Sequence, residues 1–81
     1  MTWTEFRPIL RKQFGDNIGY YNDLRKGYRR IKIHPKGPAV RVKDILEFVK
    51  SVDSSLDARE YVYTEGNWRC KSAVIRFVEN N

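Results

Sequence analysis

The sequence predicts a small α+β domain whose helices pack on a small, mainly antiparallel sheet, in the order α-α-β-(β)-α-β-β. Three observations lead to this fold class. Apolar residues recur at helical spacing near the N-terminus and again over 43–53, whereas apolar and polar residues alternate over 28–34. Two further strand-like segments flank Glu65-Gly66-Asn67, a typical hairpin turn. Because 81 residues allow one modest core, we expect a single domain over 1–81.

A first helix is predicted over 3–14. Its apolar residues share one face at helical spacing: Trp3, Phe6, Leu10 and Phe14. Thr2 and Glu5 have the spacing of a capping box, which satisfies backbone N–H groups at a helix start. Pro8 conflicts with that start, because it would remove a hydrogen bond inside the helix. A start at Thr4 or at Pro8 itself is therefore the alternative.

A second, short helix is predicted over 17–26, capped by Asn17 and ended by Gly27. Its apolar face comprises Ile18, Tyr21 and Leu24. We therefore expect Tyr21 to belong to the core, and Tyr20 to point away from it.

A strand is predicted over 28–34, because Ile31 and Ile33 alternate with polar residues. The opposite, open face of this strand is cationic and comprises Tyr28, Arg30, Lys32 and His34. Pro35-Lys36-Gly37-Pro38 is a turn, and 39–42 is the optional return strand.

The helix predicted over 43–53 has a clear amphipathic pattern. Its apolar stripe comprises Ile45, Leu46, Phe48, Val49 and Val52, and its polar side comprises Lys43, Asp44, Glu47 and Lys50.

A hairpin is predicted from 60–64 and 68–78, with Gly66-Asn67 as its loop. This register places Tyr63 opposite Cys70 and Tyr61 opposite Ser72. One face then becomes apolar, with Tyr61, Tyr63, Trp68, Cys70 and Val74, and we expect Trp68 to be in the core. The opposite face near the turn is expected to be exposed to solvent, and it comprises Val62, Thr64, Arg69 and Lys71. Beyond Ser72 both faces are apolar, which is typical of a central strand or of a strand with a bulge.

Positive charge is concentrated in the middle of the chain. The net charge is +6, but residues 25–43 carry eight basic side chains and no acidic one. Residues 1–24 carry three basic and three acidic side chains and residues 51–81 carry four and five, so both of these segments are nearly neutral. This clustering indicates a polyanionic partner, with Tyr28 and His34 contacting bases or sugars. The predicted nucleic-acid-binding residues are Arg25, Lys26, Tyr28, Arg29, Arg30, Lys32, His34, Lys36, Arg41, Lys43, Arg69 and Lys71.

Motifs for catalysis or for a cofactor are absent from the sequence. The single histidine and the single cysteine, Cys70, cannot form a structural zinc site, and no glycine-rich phosphate loop follows a strand. We therefore expect no catalytic residues, no metal and no cofactor, and a buried, inert Cys70. One enzymatic alternative remains, a metal-independent ribonuclease that uses Tyr28, Arg30, Lys32 and His34.

The leading functional hypothesis is thus a non-enzymatic module that binds RNA or DNA mainly through the phosphate backbone. The alternative is a small adaptor or inhibitor that docks its basic face on an acidic protein or on a nucleic-acid-processing enzyme. The strand signature of RRM domains and the GXXG loop of KH domains are absent. The first two predicted helices are compatible with a helix-turn-helix motif, which is a further alternative. With one cysteine and no membrane-length apolar run, we expect a cytoplasmic monomer or homodimer that does not bind membranes.

Overall fold

The computed structural model describes residues 1–78, which form two helices and a four-stranded antiparallel sheet. The elements are α1 (Trp3–Phe14), a 3-10 turn (Gly15–Asn17), β1 (Ile18–Arg25), β2 (Tyr28–Pro35), α2 (Val42–Val52), β3 (Asp57–Glu65) and β4 (Trp68–Val78). The predicted α+β class, with helices packed on an antiparallel sheet, is confirmed.

The sheet has the order β1-β2-β4-β3, so the chain runs twice through a helix followed by a hairpin. The second strands of the two hairpins, β2 and β4, pair in the centre. Ile31 lies opposite Ile75 and Ile33 lies opposite Ala73. These four side chains are completely buried, and they identify the face of the sheet that carries the core.

The core lies between this face and both helices. Its helical residues are Trp3, Phe6, Leu10 and Phe14 of α1 and Val42, Ile45 and Val49 of α2. Phe77 of β4 connects the layers, because its ring centroid lies 5.7 Å from those of both Trp3 and Phe6. Phe48 of α2 packs edge-on against Phe14 at 5.3 Å, which joins the two helices.

The helix predicted over 17–26 is wrong, because this segment is strand β1. The three-residue spacing of Ile18, Tyr21 and Leu24 fits one helical face, but the segment also contains strand-forming tyrosines next to Gly19. β1 pairs with β2 along its full length, and this pairing stabilises the segment, whereas an isolated short helix is only marginally stable. Gly27 ends no helix; at φ 81° it forms the hairpin turn. The helix-turn-helix alternative falls with it.

The optional return strand over 39–42 is also absent. Val42 instead begins α2, and the backbone N–H of Arg41 donates to the Asp44 carboxylate at 2.9 Å. This hydrogen bond caps the helix start and uses a residue that the sequence assigned to a strand. The predicted helix over 43–53 is confirmed at Val42–Val52.

The second hairpin has the predicted register, with Tyr63 opposite Cys70 and Tyr61 opposite Ser72. Strand β4 lies between β2 and β3, as its apolar pattern beyond Ser72 indicated. Pairing between β2 and β4 ends at Ile33 and Ala73. Residues 61–72, which we call the β3–β4 arm, therefore extend beyond β2 as a two-stranded ribbon.

Helix α1 begins at Trp3 despite Pro8. The capping box forms as predicted: the backbone N–H of Thr2 donates to Glu5 at 3.0 Å, and that of Glu5 donates to the Thr2 hydroxyl at 3.3 Å. Pro8 is exposed within the helix and leaves one backbone hydrogen bond unmade.

The substitution Pro8→Ala should therefore stabilise the protein. It restores a helical hydrogen bond without removing a buried side chain, and the gain should be about 1–3 kcal/mol after allowance for the freer unfolded chain. Urea denaturation measures this gain. Lys12→Ala, also exposed on α1, is the control and should change the free energy of unfolding by less than about 0.5 kcal/mol. A Pro8→Ala protein that is no more stable than the control contradicts the prediction.

The capping box should also make stability depend on pH. The backbone N–H and then the hydroxyl of Thr2 lower the pKa of the Glu5 carboxyl below its usual value. A carboxyl with a lowered pKa in the folded state adds stability above its unfolded pKa and loses it as the pH falls through the folded pKa. Glu5→Gln should thus destabilise the protein most near pH 7 and hardly at all near about pH 3. Thermal melts at both pH values test this, and an equal difference at both would contradict it.

Candidate functional site

The face of the sheet opposite the helices is the main unoccupied surface of the described chain. Because strand side chains alternate, the residues between the core residues all point to this side. Within residues 1–78 neither helix covers it. We call it the open face; it comprises Gly19, Tyr21, Asp23 and Arg25 of β1, Tyr28, Arg30, Lys32 and His34 of β2, Asp57, Arg59, Tyr61, Tyr63 and Glu65 of β3, and Trp68, Cys70, Ser72, Val74, Arg76 and Val78 of β4.

Aromatic rings from all four strands stand on the open face: Tyr21, Tyr28, Tyr61, Tyr63 and Trp68. Trp68 is 78% exposed and Tyr21 is 68% exposed, so the prediction that both belong to the core is wrong. Tyr21 alternates to the outside because its segment is a strand. Trp68 lies at the end of the β3–β4 arm, where no helix packs over it.

Cations lie against these rings. The Lys32 ammonium is 4.7 Å from the ring centroid of Tyr61 and 5.2 Å from that of Tyr63. These two rings are stacked, with centroids 5.7 Å apart. The Arg76 guanidinium lies 3.8 Å from the centroid of Tyr28. Such cation–π contacts hold both partners upright on the sheet and keep each positive charge beside an aromatic surface.

Three carboxylates share the open face, those of Asp23, Asp57 and Glu65, and the first two form ion pairs there. Asp23 pairs with Arg25 at 2.8 Å and with Arg30 at 3.6 Å, and Asp57 pairs with Arg59 at 3.1 Å. All of these arginines remain at least 43% exposed in their side chains, so each pair is worth about 0–1 kcal/mol. An incoming anion can therefore replace the carboxylates at small cost.

The hydroxyl of Tyr63 adds no negative charge. Burial against the sheet raises its pKa first, and the neighbouring Cys70 thiol and the Glu65 carboxylate raise it further. The phenol thus stays protonated at physiological pH. Cys70, predicted to be buried, is only half-buried beside it.

The structure brings together five of the predicted binding residues on the open face: Arg25, Tyr28, Arg30, Lys32 and His34. Alternation along β2 separates Arg29 from them, on the side of the core. The remaining predicted residues lie elsewhere. Lys26 is in the first hairpin turn, Lys36 follows β2, and Arg41 and Lys43 are at the start of α2.

Arg69 and Lys71 point from the β3–β4 arm to the side opposite the open face. Their side of the arm, with Val62 and Thr64, is exposed as predicted, but so is much of the side expected to be buried. The basic segment of the sequence therefore does not form one patch.

Sequence reasoning missed the open-face residues Tyr21, Arg59, Tyr61, Tyr63, Trp68 and Arg76. The alternation in the second hairpin had placed three of these aromatic residues on one face, but that face was assigned to the core. No local signal in the sequence could have corrected this, because the number of helices that pack on the sheet decides which face is exposed.

Comparison with known proteins gives no match: no family model fits the chain, and no curated protein or solved structure is significantly similar to it. Among residues 1–78, neither helix has the length and apolar character needed to cross a lipid bilayer.

Proposed function

We propose that this protein binds single-stranded nucleic acid across its open face. The observation that supports the proposal is the set of exposed aromatic rings, interleaved with cations, on a sheet surface that the helices leave uncovered. Exposed rings of this kind offer flat surfaces to unpaired bases, whereas bases within a duplex are already stacked on one another.

Stacking would supply most of the affinity. A base stacked on a protein aromatic ring contributes about 1–3 kcal/mol. Tyr21 and Trp68 have the most exposed rings and belong to different strands. Tyr61 and Tyr63 lie on β3, the edge strand beside β4 and at the opposite edge of the sheet from Tyr21. A single strand laid over the sheet would therefore meet several rings in succession.

Phosphate contacts would come from the cations between the rings. Across one row of the sheet, Tyr21 lies opposite Lys32, Lys32 opposite Val74 and Val74 opposite Arg59. In the next row Arg30 lies opposite Arg76. Each phosphate neutralised on a single strand steepens the salt dependence of binding by about 0.7 in log–log slope. The phosphates would replace Asp23 and Asp57 as partners of the arginines.

A protein partner is the second candidate, and Trp68 favours it. Exposed Trp and Tyr side chains are typical of the centres of protein interfaces. On the other side of the arm Val62 is also 40% exposed. Capture of partners from a nuclease-treated lysate separates the two candidates, because a partner bridged by nucleic acid would be lost and a direct partner would remain.

Removal of an exposed ring should weaken binding. Tyr21→Ala and Trp68→Ala should each raise the Kd for a fluorescent 12-nucleotide single strand by about 5- to 150-fold, equivalent to one lost stacking contact. Fluorescence anisotropy at low salt measures this Kd for both an RNA and a DNA strand. Leu24→Ala is the matched control, because Leu24 is 65% exposed but points to the other side of β1. Equal losses in all three variants, or none, would contradict stacking on the open face.

Replacing two cations of the open face by neutral residues should weaken the salt dependence of nucleic-acid binding. The double variant Lys32→Gln and Arg76→Gln should lower the log–log slope of affinity against salt by about 1.4, if each side chain contacts one phosphate. The control is the double variant Lys12→Gln and Lys43→Gln, whose residues lie on α1 and α2. It removes the same net charge and should leave the slope nearly unchanged. If the control pair has the same effect, net charge rather than the open face governs binding.

The same incubations test the ribonuclease alternative. Tyr28, Arg30, Lys32 and His34 project together from β2, as the alternation predicted. A labelled RNA strand that is cut without metal by the native protein, and not by His34→Ala, would favour catalysis over binding.

A further inference from the structure

Several depressions of about 240–410 Å³ lie on the surface. One of them differs from the others in the side chains that line it. It measures about 380 Å³ and lies across the free edge of β1, where it joins the open face. Arg11 from the last turn of α1, His34 from β2 and Lys36 from the following loop line it, together with Asp16 and Gly19. Three different elements thus contribute nitrogen-bearing side chains to the lining of one depression.

Gly19 makes this convergence possible. A β-carbon at position 19 would lie 2.5 Å from Nε2 of His34 and 3.0 Å from Cε of Lys36. Both side chains therefore fold over the same spot on β1, and they can do so because residue 19 has no side chain. Glycine weakens a strand interior, and it often marks a place where another group must approach the backbone closely.

The walls of the depression are fixed by the fold. The backbone N–H of Lys36 donates to the carbonyl of Asn17 at 2.8 Å, which ties the loop after β2 to the 3-10 turn. Tyr20, which also lines the depression, packs against Trp3 with ring centroids 5.3 Å apart. In the described part of the chain no carboxylate lies within 4.0 Å of the Arg11, His34 or Lys36 nitrogens, although Asp16 shares the depression. The charges of Arg11 and Lys36 are thus available to a ligand.

We infer that this depression binds a phosphomonoester at the end of a nucleic-acid strand; the inference rests on the proposed function. A terminal phosphate carries a charge of about −1.5 to −2 at pH 7, against −1 for each phosphate within the strand. It also presents three acceptor oxygens, which suit donors that approach from three directions. The depression lies at the sheet edge, and the 3-10 turn and α1 contribute Gly15, Asp16 and Arg11 to its lining. This position fits the end of a strand.

The test compares three 12-nucleotide strands of one sequence, with a 5′-phosphate, a 3′-phosphate or hydroxyl groups at both ends. The native protein should bind one of the phosphorylated strands about five- to tenfold more tightly than the hydroxyl-ended strand. Equal Kd values for all three would overturn the phosphate site while leaving the proposed function intact.

Gly19→Ala is the decisive variant, because it removes no charge. Its β-carbon would displace the flexible ends of His34 and Lys36, which are exposed, so the fold should persist and a thermal melt verifies this. It should abolish the preference for a phosphorylated end, measured as the ratio of the Kd values of the hydroxyl-ended and phosphorylated strands within this variant, so that a change in overall affinity for the open face does not enter the result. Gly37→Ala, where a β-carbon meets nothing within 4 Å, should behave as the native protein. A preference that survives Gly19→Ala overturns the inference.

A second measurement separates this inference from the proposed function. Inorganic phosphate is titrated into the isotope-labelled protein, and amide and side-chain NMR signals are followed. Shifts confined to Gly19, His34 and Lys36 that saturate, and that are lost in Lys36→Gln, support the phosphate site even if no strand binds the open face. Absence of such shifts rejects it.

Discussion

Two helices on one face of a four-stranded sheet leave the other face to water, and this constraint governs the surface chemistry of the protein. The helices span 12 and 11 residues and share a single core with one side of the sheet. Along each strand, every second residue must therefore point away from that core. Short polar residues would be sufficient at these outward positions, but the chain has tyrosines, a tryptophan and cations there.

The pairing of β2 with β4 decides which of these side chains meet. It puts the cationic residues of β2 in the centre of the sheet, beside residues that lie more than 30 positions further along the chain. Lys32 reaches the stacked rings of Tyr61 and Tyr63, and Arg76 covers Tyr28. Charge and aromatic surface are thus mixed at the scale of single side chains, which suits a ligand that alternates bases with phosphates.

The proposed strand-binding surface and the phosphate site at the β1 edge share one structural origin. His34 belongs to the outward row of β2, and Gly19, which lies opposite it on β1, provides the space into which its ring folds. The exposed ion pairs of Asp23 and Asp57 hold the arginines in place at small energetic cost. A surface of this kind can stay ordered without a ligand and still exchange its carboxylates for phosphates.

Local periodicity, capping and turn residues were enough to predict the α+β class, helix α1, helix α2, strand β2 and the register of the second hairpin. They also predicted that Tyr28, Arg30, Lys32 and His34 share one face. The other features depend on contacts between segments that are distant in the chain. Residues 18–25 form a strand because β2 offers a partner along their whole length, and local spacing cannot reveal a partner. Whether Tyr21 and Trp68 are buried depends on how many layers cover the sheet, and Arg59 and Arg76 join the open face only through pairing between distant segments.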